Sequence, residues 1–323
     1  GMPQVARTML QAGAAQIGTS RLEQVARCRA AGVDGPFLLI RIPGLSELPD
    51  TVALCETSLQ SERDTLDALE QECRQGKTHR VIVMADLGDL REGFWDADEM
   101  TEVCLHVERD LPHVHLAGIG VNLTCYGSIQ PTPDKMEQLT DRARQIEQAI
   151  GRRLEIISGG ATSSYTLVHW NTMPSAINHL RIGENILLGY DLQKLWGIQD
   201  MDYLRMDTFI LTAEVIEVRD KPTYPQGKFC IDAFGHTQVY EDRGVRRRAL
   251  LALGRADVGE LETLTPLENG ITVVGGSSDH CILDVADCGR PLRVGDTVSF
   301  SLRYSHLLYL TEREDVRFVF CGE

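Results

Sequence analysis

The chain has 323 residues, 43% hydrophobic and 24% charged, an ordinary globular composition with enough length for two buried cores. Its 47 acidic and 32 basic residues give a net charge of −15, which disfavours nucleic acid and anionic membrane surfaces as partners. No apolar stretch reaches the roughly eighteen residues of a membrane span, and the N-terminal GMPQVARTMLQAGAAQIG is too polar for a signal peptide, so a cytoplasmic protein is expected.

In chain order, the opening segment reads as a helix, with Pro3 suited to a first turn and Val5, Ala6, Met9 and Leu10 forming an apolar stripe. Up to about residue 200, apolar strand-like runs at 16–20, 37–41, 52–58, 80–86, 116–122, 155–160 and 179–184 alternate with amphipathic helical patterns. In SERDTLDALEQECRQG, Ser61 is the expected N-cap, Leu66 and Leu69 build one face, and Gly76 ends the helix. DADEMTEVCLHVERD and PDKMEQLTDRARQIEQAIG follow the same grammar. Strands that are apolar throughout and alternate with helices predict a parallel sheet covered on both faces. Seven such strands suit a (β/α)8 TIM-type barrel whose first strand would lie upstream of Gly1. A doubly wound open sheet is the rival and needs no missing strand.

After about residue 205 the pattern changes to β-rich runs separated by Gly, Pro and Asp turns: FILTAEVIEVRD, RRALLALGRADV, GITVVGG, HCILDVADC and DTVSFSLRY. The expected domains are therefore a barrel over 1–204 and an all-β C-terminal domain over 205–323, joined by LQKLWGIQDMDYLRM. The nine cysteines show no metal-ligand spacing and read as reduced core residues. Arg243, Arg246, Arg247 and Arg248 form a basic run beside Glu241 and Asp242, which reads as a solvated strand entrance.

In a parallel barrel, chemistry sits at the C-terminal edge of the strands. That edge carries Arg91, Asn122, the SGGATSS run at 158–164, and RIGE at 181–184. Gly159, Gly160, Thr162 and Ser163 between a strand and a helix-like stretch suit an anion or phosphate, and Gly183 on the next loop adds to that signal. Arg181 points into the mouth, or else forms a salt bridge with Glu155 or Glu184; Arg91 has Asp86, Asp89 and Glu92 as possible ion-pair partners. Dinucleotide, P-loop, nucleophile-elbow and zinc-protease motifs are absent, and the histidines never fall into metal-ligand spacing.

ADLGDLREGFWD, GIGVNLTCYG, EIISGGATSS, INHLRIGENILLG, DAFGHTQVYEDRGVRRRALLALGRADV and GGSSDHCILDV resemble the ornithine-racemase branch of the alanine racemase family, the fold type III enzymes that use pyridoxal 5'-phosphate (PLP). The resemblance runs in order along nearly the whole chain. It implies a barrel followed by a β-domain, a small amino-acid substrate, and a head-to-tail homodimer with shared active sites. Arg181 would face the pyridine nitrogen, and because a guanidinium has no proton to spare it would favour proton exchange over transamination. Thr162, Ser163, Gly183 and Glu184, the last through its amide, would hold the phosphate. Arg91 would lie near the phenolic oxygen, and Asn122 would replace a histidine that packs on the ring. Ser278 and Asp279 would lie by the substrate in the partner's site.

Two departures accompany the resemblance. The Schiff-base lysine ends the family's first barrel strand, and none of Lys77, Lys135, Lys194, Lys221 and Lys228 falls at a matching position. The expectation is either a chain truncated at its start or a natural lysine-less relative. The tyrosine that serves as second base aligns with Phe234, as in the ornithine racemases, which leaves Asp232, Asp279 and Cys230 as candidate bases. The expected function is two-base racemisation of ornithine or another basic or small amino acid by the intact protein. A non-catalytic homologue that binds PLP or phosphate, and a fold type III amino-acid decarboxylase, are the alternatives.

Overall fold

The computed structural model describes residues 2–74, 76–231, 233–235, 237 and 239–321. The chain divides into two compact units, Gly1–Gly183 and Glu184–Glu323.

In the first unit, β1 (Ile17–Thr19), β2 (Phe37–Leu39), β3 (Thr57–Gln60), β4 (His79–Ala85), β5 (Val114–Val121) and β6 (Ile156–Ser158) form one parallel sheet in simple chain order. A doubly wound sheet reverses its strand order at a switch point, so this order selects the barrel-type winding. The helices are α1 (Pro3–Gln11), α2 (Leu22–Ala30), α3 (Leu48–Leu54), α4 (Arg63–Cys73), α5 (Ala97–Asp110), α6 (Pro133–Ile150) and α7 (Tyr165–His169). Their ends follow from local chemistry. The Asp96 side chain accepts the amides of Asp98 and Glu99, Thr132 accepts the amide of Lys135, and Gly151 closes α6 in the left-handed conformation.

The period of two along β4 shows why both faces are covered. Val81, Val83 and Ala85 join the cluster that packs α4, α5 and α6, whereas Ile82 and Met84 join Leu38 and Leu59 on the other face. Gly118 is required on β5 because a Cβ there would run into the Ile156 carbonyl of β6.

Three local expectations change. Residues 52–54 belong to α3 rather than to a strand, because Pro49 starts the helix and Leu48, Thr51 and Cys55 bury at helical spacing. Ser61 is not the cap of α4; Glu62 holds that position without a side-chain bond. The run expected as a strand at 179–184 is not one: it pairs with β6 through one bridge, Ser158 with His179, and its last residue, Glu184, opens a helix. Around that bridge Gly159 N–H donates to His179 O, and Arg181 N–H donates to Gly160 O.

The second unit is an antiparallel sheet of β7 (Ile210–Pro222), β8 (Val245–Leu251), β9 (Thr265–Pro266), β10 (Thr272–Gly276), β11 (Cys281–Asp284) and β12 (Thr297–Ser301), in the order β10-β11-β8-β7-β12-β9. Val215, Leu251, Cys281, Leu283 and Phe300 centre its core. Short helices α8 (Glu184–Leu187), α9 (Arg255–Val258) and α10 (Tyr304–Leu310) accompany it. Helix α10 lies just past DTVSFSLRY and buries His306, Leu307 and Leu310, so this unit is β-dominated rather than wholly β.

The basic run opening β8 is neutralised across strands: Arg243 and Arg246 converge on Asp284, Arg246 also reaches Asp287, and Arg247 pairs with Asp220. All nine cysteines are free thiols. Five are buried, and burial pushes Cys55, Cys104 and Cys281 up to about 12, as expected of inert core thiols. Among the described residues no helix is long and apolar enough to cross a membrane, and no cluster of His, Cys, Asp or Glu could hold a metal.

Candidate active site

The C-terminal ends of β5 and β6 are bridged by one guanidinium. Arg181 Nη2 donates to the Val121 carbonyl at 2.8 Å, and its Nη1 donates to Ser158 Oγ. Arginine can only donate, so the Ser158 hydroxyl proton turns to His179 Nδ1, 2.8 Å away, which assigns His179 the Nε2–H tautomer. Burial, reinforced by the Arg181 charge, lowers His179 to about 4 and keeps it neutral.

Burial also lowers Arg181 to about 10, opposed by Glu92, so it stays protonated at neutral pH. The expected salt bridge is absent. Glu155 is taken by Arg80 at 2.6 Å and by His115, Glu184 Oε1 accepts the amides of Tyr190 and Asp191, and Arg181 makes no ion pair among the described residues. A partly buried cation without a carboxylate partner is costly unless something else uses its charge.

Arg91 lies in the loop after β4 and is forked onto Glu92, with Nη2 to Oε1 at 2.7 Å. That pairing raises its pKa. Asp86 and Asp89 serve backbone instead: Asp86 Oδ1 accepts the amides of Gly88 and Leu90 at 2.8 and 3.2 Å. Asn122, the first residue past β5, is 7% exposed; its Nδ2 donates to Asp89 and its Oδ1 accepts from the Cys125 thiol.

After β6 the chain turns through Gly159 and Gly160 into a single 3₁₀ turn, Thr162–Ser164. Gly160 has φ +112°, and a Cβ there would meet Ser164 Oγ. The Ser164 hydroxyl is buried and has no hydrogen-bond partner among the described residues. Gly183 N–H donates to Thr162 Oγ1 at 3.4 Å, and the space on the Cβ side of Gly183 is open. Thr162, Ser163 and Gly183 are thus brought together in the first unit, while Glu184 begins the second.

In the second unit, Ser278 and Asp279 are both exposed, and Ser278 Oγ donates to Asp279 Oδ2 at 2.7 Å. The Ser278 carbonyl is held by the Ala256 amide, and Gly254 is needed beneath it because a Cβ would collide with that carbonyl. Cys230 is exposed with its thiol on Ile231 O, and Phe234 packs under Arg255 at 5.0 Å. Asp232 lies outside the described residues. Sequence reasoning placed Ser158 in the 158–164 run without giving it a role and did not single out His179; Ser158 holds Arg181 and is itself held by His179. The available signal was a pair of polar residues on adjoining apolar strand runs.

The sequence profile described as alanine racemase, N-terminal domain, matches residues 1–191. A lysine racemase of Thermotoga maritima is 39% identical over 309 residues, 95% of this chain and 84% of that protein. An ornithine racemase of Acetoanaerobium sticklandii is 39% identical over 272 residues, 84% of this chain and 76% of that protein. The chain belongs to the alanine racemase family. By that kinship it is an amino-acid racemase, an isomerase.

Solved structures bear out the fold of this alanine racemase family member. Alanine racemase of Clostridium difficile 630 superposes with a TM-score of 0.69 at 15% identity, covering 96% of this chain and 80% of that one. D-threonine aldolase of Filomicrobium marinum gives 0.69 at 15% identity, over 94% and 78%. Equal likeness to a racemase and an aldolase shows that this fold alone does not fix the reaction; the sequence relatives do.

Proposed function

We propose that the C-terminal edge of the parallel sheet binds PLP and that the protein exchanges the α-proton of a basic amino acid of the lysine or ornithine type. The observation carrying this reading is the Arg181 guanidinium, fixed by Val121 and Ser158 and without a carboxylate partner among the described residues. The site also fits a phosphate-bearing aromatic aldehyde in its unpartnered Ser164 hydroxyl and the crowding that requires glycine at Gly160. The names of the two relatives above supply the substrate class.

When bound, PLP supplies the electron-withdrawing ring that acidifies the substrate's α-C–H. Arg181 offers N–H donors but no proton to a ring nitrogen. Thr162, Ser163 and Gly183 would hold the phosphate, and the family resemblance gives the Glu184 amide the same part. Arg91, steadied by Glu92, would offer a second cation near the phenolic oxygen, and Asn122, its carboxamide held by Asp89, would lie beside the ring. Asp279, oriented by Ser278, and Cys230 present exposed groups able to take a proton, and Asp232 is the third candidate second base.

A head-to-tail homodimer brings Ser278 and Asp279 to the partner's site. The exposed aromatic cluster of Tyr224, Phe229 and Tyr240 supports an interface on the β-unit. Nine free thiols agree with a cytoplasmic setting. We also infer that none of Lys77, Lys135, Lys194, Lys221 and Lys228 anchors the cofactor covalently. Lys77 precedes β4, at the opposite end of the strand from Arg91, and Lys135 Nζ is engaged by the Leu87 carbonyl at 2.6 Å.

The test is a PLP titration followed by visible circular dichroism, with Arg181→Leu and Thr162→Val as variants. Saturable binding weakened by both substitutions supports the site; binding indifferent to both removes it. In a form bearing the family's anchoring lysine, loss of optical rotation from L-lysine or L-ornithine assigns racemisation, and released carbon dioxide assigns decarboxylation instead.

A further inference from the structure

We propose that Asp89 is a positioning residue of the barrel mouth, whose buried carboxylate fixes the Asn122 carboxamide and the loop after β5 in the shape that receives the cofactor ring. The proposal rests on the reading that this mouth binds PLP. Asp89 lies in the loop after β4 and is 2% exposed. None of its acceptor capacity goes to Arg91, two residues away. Its Oδ1 accepts the Gly127 amide at 3.0 Å, and its Oδ2 accepts the Tyr126 amide at 3.1 Å and the Asn122 Nδ2 at 3.5 Å.

The two loops are pressed together at this point: a Cβ on Gly127 would lie 2.7 Å from the Asp89 carbonyl oxygen. The segments they belong to hold three of the four positive-φ non-glycine residues among the described residues. Leu90, Thr124 and Ser128 all have positive φ, at 57°, 80° and 55°, conformations that persist only when the surroundings over-determine them. Asp89 supplies that determination for 122–127, and the bond from Thr124 Oγ1 to Ile129 O closes the far side.

The consequence for Asn122 is specific. With Nδ2 on Asp89 and Oδ1 on the Cys125 thiol, both ends of the carboxamide are engaged within the loop, so Asn122 offers the ring a flat face. Its neighbour Val121 supplies the carbonyl that receives Arg181, so the clamp lies one residue from the anchor of the site's partly buried cation.

Two measurements test this. In the unmodified protein, hydrogen exchange should find the amides of Tyr126 and Gly127 protected although they lie in a loop; exchange at free-chain rates would overturn the clamp without requiring any variant to fold. In the second, PLP affinity is measured by visible circular dichroism for Asp89→Asn, Asn122→Ala and the double variant. Asp89→Asn should weaken binding roughly tenfold, and the double variant should be no weaker than the worse single, as expected of residues acting through one another. Exchange should quicken at 126 and 127 and stay slow in β4. Unchanged affinity in Asp89→Asn, or effects that add in full, would overturn the positioning role. If the unmodified chain fails to bind PLP, the cofactor reading fails and with it the role assigned here, while the exchange data still judge the clamp.

Discussion

Arg181 and Val121 meet at 2.8 Å, a guanidinium Nη2 on a strand-end carbonyl, and this contact places the site's partly buried cation on backbone rather than on a carboxylate. A charge held in this way keeps its electrostatic reach for a ligand. It also depends on fork geometry, because a second N–H of the same group must reach Ser158 Oγ.

Arg181→Lys keeps the charge and loses the fork. It should weaken PLP binding roughly tenfold, about 1.4 kcal/mol, and alter the induced visible dichroism. Equilibrium titration reads both, and unchanged affinity would show that charge alone suffices.

Gly118→Ala forces a methyl group against the Ile156 carbonyl of the adjoining strand. Backbone cannot yield as a side-chain tip does, so a loss of about 1–3 kcal/mol or more is expected. Thermal or urea unfolding measures it, and a neutral result would mean that β5 and β6 can separate freely.

Leu66→Ala empties a fully buried position between α4 and the sheet. The expected loss is about 2–5 kcal/mol by denaturant titration, with the upper part of that range if the cluster fails to collapse.

His106 on α5 binds Asp67 of α4 at 2.6 Å through Nε2 and Asp110 at 2.8 Å through Nδ1. Burial alone would lower its pKa and Arg63 acts in the same direction, but the two carboxylates prevail and raise it above 6.5. The folded value therefore exceeds the unfolded one. The contact's stabilisation is complete below the unfolded pKa and is lost as pH rises through the folded value. With both carboxylates largely exposed, the effect should stay below about 1 kcal/mol. A pH series of unfolding free energies for the protein and for His106→Gln should diverge at acid pH and converge at alkaline pH; a constant gap would contradict the charge assignment.

Much of this is legible in the amino-acid sequence. The strand runs of the first unit alternate with helices, and the amphipathic runs DADEMTEVCLHVERD and PDKMEQLTDRARQIEQAIG contain α5 and α6, although the N-cap expected for α4, Ser61, gives way to Glu62. What escaped was decided by long-range partners. Residues 52–54 are as apolar as a strand, but Pro49 and helical burial spacing place them in α3. Helix α10 is hidden because Tyr304–Leu310 is apolar on more than one side, with Leu308 and Tyr309 exposed.

At the site, sequence singled out Arg91, Asn122, Thr162, Ser163, Arg181 and Gly183, and the structure sets them at and beyond the ends of β4, β5 and β6. It could not show that Arg181 lacks a carboxylate, since Glu155 and Glu184 were both near enough in sequence to pair with it. Only packing sends Glu155 to Arg80 and Glu184 to the amides of Tyr190 and Asp191. Asp89 read as a surface acid beside Arg91 and is instead buried.

The most direct test saturates the chain with PLP, confirms binding by visible dichroism, reduces with borohydride and weighs the product by mass spectrometry. The expected result is bound cofactor with no stoichiometric phosphopyridoxyl adduct on Lys77, Lys135, Lys194, Lys221 or Lys228. A single lysine labelled in full would contradict it, and would require the site to be redrawn around that residue.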